Sequence, residues 1–161
     1  EPSDPTETGE VIVDEIIGDW LIEDYTVESV TTFSQNGIEF TTTTLTELVE
    51  GNQVITFTDD NQYTAEGDFD IKITIISEGQ VTQEIFETTS TANSGTWSIE
   101  GNTLFLNDDD QDIGDSEATI LTLNNETLAL ELNLTEDDLN IPEGFPSNDI
   151  TVDGQATYTK L

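Results

Sequence analysis

Gly18-Asp19-Trp20 opens the first long strand-forming run of the chain, LIEDYTVESVTTF (21–33), which is rich in the β-branched and aromatic residues that suit a pleated, half-buried surface. A Gly-x-Trp at the head of the first strand of an all-β chain points to a closed barrel. The same triplet returns at Gly95-Thr96-Trp97, and the chain ends on Ala156-Thr157-Tyr158-Thr159-Lys160-Leu161. Start, middle and end therefore all carry small-residue or aromatic strand signals.

Outward from Gly18 the hydrophobic period is two. Leu128, Leu130, Leu132 and Leu134 alternate with Thr127, Ala129, Glu131 and Asn133, and Ile71, Ile73 and Ile75 oppose Lys72 and Thr74. Ile150, Val152, Gly154, Ala156, Tyr158 and Lys160 share one parity of the last strand. Turn residues punctuate these runs at Asn36-Gly37, Glu50-Gly51-Asn52, Asp59-Asp60-Asn61, Glu78-Gly79, Glu100-Gly101-Asn102 and Asn124-Asn125, so hairpins rather than crossovers join the strands. The pattern predicts about ten strands, at 18–34, 37–50, 53–58, 62–77, 80–91, 95–100, 103–107, 117–123, 127–134 and 150–160. A meander of this kind removes its edge hazard by closing. The expectation is an all-β, antiparallel up-and-down barrel of about 8–10 strands, with an open sandwich as the alternative. Val11–Ile17 shows helical spacing for one or two turns across a barrel mouth, or else an extra strand. Residues 1–10, EPSDPTETGE, read as a disordered acidic tether, and 11–161 as a single barrel domain.

Apolar residues make up 34% of the chain, so the core has little surplus, and 36 acidic against 2 basic residues give a net charge of −34. The acids are interleaved with the strand pattern, which implies a folded domain with an acidic skin rather than a disordered tail. Phosphate recognition requires Lys and Arg, and only Lys72 and Lys160 are present, so nucleic acid and anionic membrane surfaces are excluded as partners. Self-repulsion keeps copies apart, and a monomer is expected.

Taken together, Gly18-Asp19-Trp20, Ile55-Thr56-Phe57 leading into Asp59-Asp60-Asn61-Gln62-Tyr63, Gly95-Thr96-Trp97-Ser98-Ile99 with Thr103-Leu104-Phe105-Leu106, Leu128-Ala129-Leu130-Glu131-Leu132 and the closing Tyr158-Thr159-Lys160-Leu161 resemble the lipocalin-like domain family of Bacteroidetes lipoproteins, a calycin-type β-barrel. The resemblance covers nearly the whole chain, although the segment from Trp20 to Ile55 is longer than the family pattern. It implies that Trp20 closes one barrel end with Lys160 packed over it. It further implies export to the periplasm or cell surface on a lipidated cysteine upstream of the tether, so that the membrane is met only through that anchor.

The absence of His and Cys removes the usual general base, the Ser and Cys triads and most transition-metal sites, so no enzyme is expected. Asp108, Asp110 and Asp112 alternate as in oxygen-ligand calcium loops, but Ile113 stands where such a loop needs Gly and Thr119 where it needs Glu. A solvated acidic hairpin is the plainer reading, with irregular Ca²⁺ binding here or at Glu136-Asp137-Asp138 as the alternative, and no other cofactor. Phe40, Phe57, Tyr63, Phe69, Phe86, Trp97, Phe105, Leu130, Leu132 and Tyr158 fall on expected inward faces, where they either pack a core or line a cavity. The leading functional expectation is a non-catalytic exported barrel holding a small apolar or amphipathic ligand. The alternatives are a filled barrel that serves an envelope or glycan-handling assembly as an interaction module, using loops 107–117 and 135–149, and an acidic Ca²⁺-binding surface domain.

Overall fold

A computed structural model of the chain describes residues 13–110, 115–133 and 147–161. A 3-10 turn, Val13–Ile16, precedes nine strands: β1 (Gly18–Gln35), β2 (Ile38–Gly51), β3 (Val54–Phe57), β4 (Gln62–Ser77), β5 (Gln80–Glu100), β6 (Thr103–Asp108), β7 (Asp115–Leu123), β8 (Thr127–Leu132) and β9 (Ser147–Lys160). Every pairing is antiparallel, and the ring closes where β1 meets β9, from Trp20 opposite Lys160 to Phe33 opposite Ser147. The open-sandwich alternative is thereby set aside.

The nine strands fill eight positions around the ring. β1 pairs with β3 over Gly18–Leu21 and with β2 over Thr26–Gln35, and β4 divides between the same two neighbours. β2 and β3 are thus two halves of one course, interrupted at Asn52 and Gln53. Eight courses make a barrel whose interior is just wide enough for side chains or one small ligand.

The hairpins form where the turn residues stand. Asn36-Gly37 and Glu78-Gly79 both take positive φ at their two central positions, the mirror-image turn whose twist matches the flanking strands. One boundary differs from the sequence pattern: 80–91 and 95–100 are a single 21-residue strand, β5. The run Ala92-Asn93-Ser94 reads as a break, yet it pairs residue by residue with Thr64–Glu66 of β4.

One end of the barrel is sealed. Trp20 is 0% exposed, its Nε1 donates to the Ile16 carbonyl at 2.7 Å, and the Lys160 ammonium stands 5.3 Å from its ring centroid while donating to the Glu15 carbonyl at 3.2 Å. Gly18 makes this arrangement possible. Its φ of +135° is one that side chains rarely adopt, and a Cβ there would lie 2.8 Å from Lys160 Cε. The 3-10 turn lies against this closed end, where Ile16 packs into the core beside Trp20.

The other end is open and uneven. β6, β7 and β8 are short, whereas β9, β1, β2, β4 and β5 continue past them as a tall twisted sheet. The long Trp20–Ile55 segment supplies two of those tall strands. Lys72 lies on the sheet's outer face, 4.0 Å from both Glu47 and Glu84, a partly solvated arrangement of small energetic value. Phe86 pairs with Lys72 on that face and is 68% exposed, so it does not point inward as its parity had suggested.

An acidic skin of this size opposes compaction, and salt relieves it by screening over roughly 8 Å. Raising NaCl from near zero to physiological strength is expected to increase the melting temperature by on the order of 5 °C. CaCl₂ at matched ionic strength is expected to do no more. Thermal melts in the two salts check this, and a Tm that falls with NaCl would contradict it.

Candidate functional site

Above the sealed end, the barrel encloses a cavity of about 640 Å³. Alternation of the strands builds it from one face of each. Ile55 and Phe57 come from β3, Leu104 and Leu106 from β6, Ala118 from β7, Leu128, Leu130 and Leu132 from β8, and Tyr158 from β9. The cross-strand row Leu104–Ala118–Leu132 shows how the space arises. It sets an alanine between two leucines of the neighbouring strands, so the wall carries little side-chain volume at that point. Phe105, Asn107, Asp115, Ser116, Glu117 and Asn133 form the outer wall and rim.

Tyr158 brings a phenol to the wall of the cavity. It is 7% exposed, and burial pushes its phenol well above the usual tyrosine range, with the nearby Tyr25 hydroxyl adding to the effect. Such a group is neutral in both folded and unfolded chains below pH 10, whereas above it the unfolded chain ionises first. The unfolded state then holds fewer protons, so stability falls as pH rises, by about 1.4 kcal/mol per pH unit from this residue alone. Denaturant titrations at pH 9, 10 and 11 are expected to show this decline, and Tyr158→Phe is expected to flatten it. An unchanged slope in the variant would exclude Tyr158 as the cause.

The other expected lining residues are distributed differently. Phe57, Phe105, Leu130, Leu132 and Tyr158 meet at the cavity. Trp97 stands behind Phe57 with ring centroids 5.8 Å apart at 84°, its Nε1 donating to the Thr58 carbonyl at 3.1 Å. Tyr63 is buried and donates from its hydroxyl to Asp108 Oδ2 at 2.9 Å, crossing over Gly95, which lies between them in the sheet. Burial and then Asp108 itself raise the Tyr63 phenol above its ordinary range. Phe69 packs on Tyr25 at 5.9 Å, and Phe40 stacks on Phe33 at 5.3 Å near the top of the tall sheet, so neither lines the cavity.

Residues the parity reading did not single out also line the site, among them Ile55, Leu104, Leu106, Leu128 and Ala118, and the carboxylates Asp115 and Glu117. The alternation Leu128–Leu130–Leu132 contained the signal for Leu128. Nothing in the sequence marks Ala118 as the residue that leaves room.

The acidic hairpin holds no metal constellation among the described residues. Asp108 accepts from Tyr63 and from the Asp110 amide at 2.8 Å, while Asp112, Ile113 and Gly114 lie outside the described residues, as do Glu136-Asp137-Asp138 and residues 1–10. A shallow hollow of about 370 Å³ at the β2–β4 bulge carries Glu50, Asp68 and Asp70. These carboxylates likewise form no metal-binding group.

A closed eight-course barrel, a Gly-x-Trp sealed under a last-strand lysine and an apolar interior open at one end agree with the comparison against known families. The model of the lipocalin-like domain matches residues 16–130, from the turn before β1 into β8. The chain belongs to the lipocalin-like domain family. Barrels of this family often bind small ligands and are generally non-catalytic. No curated protein and no solved structure shows a significant match to this lipocalin-like chain.

Proposed function

We propose that this lipocalin-like barrel is a non-catalytic carrier that holds one small apolar or amphipathic molecule in its interior. The observation that supports this reading is the 640 Å³ cavity walled by Ile55, Phe57, Leu104, Leu128 and Leu130, a volume within the range of small-molecule sites. Such a void loses the dispersion contacts of its lining, and an apolar guest restores them. Titration with the neutral dye N-phenyl-1-naphthylamine is expected to saturate at one per chain and to quench Trp97, which touches Phe57 at the cavity wall. Leu130→Trp is expected to fill the space and weaken uptake at least tenfold while unfolding remains cooperative. Absence of saturable uptake by the unaltered protein would reject the proposal.

A second reading, an interaction module of an envelope or glycan-handling assembly, has one observation in its favour. On the tall sheet, β5 exposes Val81 and Phe86, and no described strand pairs with its other edge from Gln80 to Asn93. Free edges accept further strands. On this reading Phe86→Glu abolishes capture of a partner from envelope extracts and leaves dye uptake intact. Capture that survives the substitution would count against it.

Export on a lipid anchor belongs to the same proposal. It is supported by the resemblance to exported family members and by the acidic tract at residues 1–10. Fractionation of cells producing the full-length protein tests it, and recovery from the cytosol would reject it.

A further inference from the structure

We propose that the cavity selects amphipathic molecules bearing a hydrogen-bonding group at the inner end and a cationic or uncharged group at the outer end, and rejects those with an outer carboxylate. This inference rests on the carrier reading above. Two independent features support it.

The inner feature is the Tyr158 hydroxyl. Tyr158 lines the cavity and is 7% exposed, and its phenol stands near that of Tyr25. Beside Ile55, Phe57 and Leu128 this phenol is the group to which an alcohol, ether or carbonyl on a guest can hydrogen-bond, and such a guest would lose free energy if its polar group were buried there without a partner.

The outer feature is the charge at the rim. Asp115 and Glu117 stand at the opening with Asn107 and Asn133, and Glu117 Oε1 accepts from Asn133 Nδ2 at 3.5 Å. Neither basic residue of the chain can answer an anion there, because Lys72 lies between Glu47 and Glu84 on the outer face and Lys160 lies over Trp20 at the sealed end. An outer ammonium is attracted by the rim, an outer carboxylate is repelled, and a hydroxyl is tolerated.

Strand geometry gives the length. Tyr158 pairs with Leu128, five residues along the chain from Asn133 at the rim, which is about 16 Å at the strand rise. A chain of about ten carbons with a polar group at each end spans that distance.

Displacement of N-phenyl-1-naphthylamine from the full chain by 10-amino-1-decanol, decylamine, 1,10-decanediol and 10-hydroxydecanoate at pH 7 tests the inference. The amino alcohol is expected to displace the dye at concentrations at least tenfold lower than the hydroxy acid, with the gap narrowing in 0.5 M NaCl. The double variant Asp115→Asn/Glu117→Gln is expected to shrink that gap at least threefold and to leave the uncharged diol unchanged. Tyr158→Phe is expected to weaken the amino alcohol and the diol at least threefold and to leave decylamine unchanged. Equal displacement by the hydroxy acid overturns the inference, and so does a preference untouched by the rim variant, which would assign it to the net charge of the whole molecule. Dye uptake without any preference defeats this inference alone, whereas a chain that takes up neither dye nor any probe defeats the carrier reading beneath it.

Discussion

Trp20→Ala is expected to lower the unfolding free energy by about 3–5 kcal/mol. The indole is fully buried, so its removal forfeits a large apolar surface and leaves a cavity at the point where β1, β3 and β9 converge. It also orphans the Ile16 carbonyl, which accepts from Nε1, and leaves the Lys160 ammonium without the ring face it covers. Since a domain of this size is stable by only about 5–15 kcal/mol, the variant is expected to be partly unfolded at physiological temperature. Lys160→Met separates the contributions: it keeps an apolar stem over the ring and removes the charge, and is expected to cost about 0.5–2 kcal/mol. Urea unfolding of both variants measures the two losses. A Trp20→Ala loss below about 1 kcal/mol, smaller than any full truncation of a buried aromatic, would show that the barrel is not sealed by this residue.

Gly95→Ala is expected to cost about 3 kcal/mol, the upper part of the usual range for overpacking. A Cβ at this position would lie 2.1 Å from the Asn107 carbonyl oxygen and 2.9 Å from Asp108 Cα, both backbone atoms of β6 that cannot swing aside as a side chain would. Relief requires β6 to move away from β5, and β6 carries Leu104 and Leu106 of the cavity wall. The added methyl also intrudes where Tyr63 crosses to Asp108, so the 2.9 Å hydrogen bond is expected to break. Loss of this bond is expected to bring the Tyr63 phenol back toward its ordinary range in an ultraviolet pH titration. A variant as stable as the parent would contradict the close passage of the two strands.

The two Gly-x-Trp triplets illustrate what the sequence could and could not convey. Each was legible as a strand signal because the pattern is local: a small residue, a spacer and a large aromatic on the same face. Closure was legible too, since turn residues recur between runs of period two, and the last strand keeps one parity from Ile150 to Lys160. The turn-like appearance of Ala92-Asn93-Ser94 concealed the continuity of β5, because pairing with β4 overrides the weak strand propensity of those residues. Phe86 was misplaced for a related reason. Ile85 and Phe86 are adjacent apolar residues on a strand exposed at both faces near its free edge, so parity alone does not say which of the two points inward. The division of β2 from β3 at Asn52–Gln53 and the bulge between Ile75 and Ile76 also interrupt the alternation. The cavity was the least legible feature. Its wall depends on Ala118 meeting Leu104 and Leu132 across three strands, a register that only the paired sheet defines.

Isotope-filtered NOE spectroscopy on labelled protein saturated with N-phenyl-1-naphthylamine examines the hollow interior most directly. Cross-peaks from the dye to the methyl groups of Leu104, Leu128 and Leu130 and to the Tyr158 ring are the expected result. Contacts confined to Val81 and Phe86 on the outer face, or none at all, would contradict a barrel that carries its guest inside.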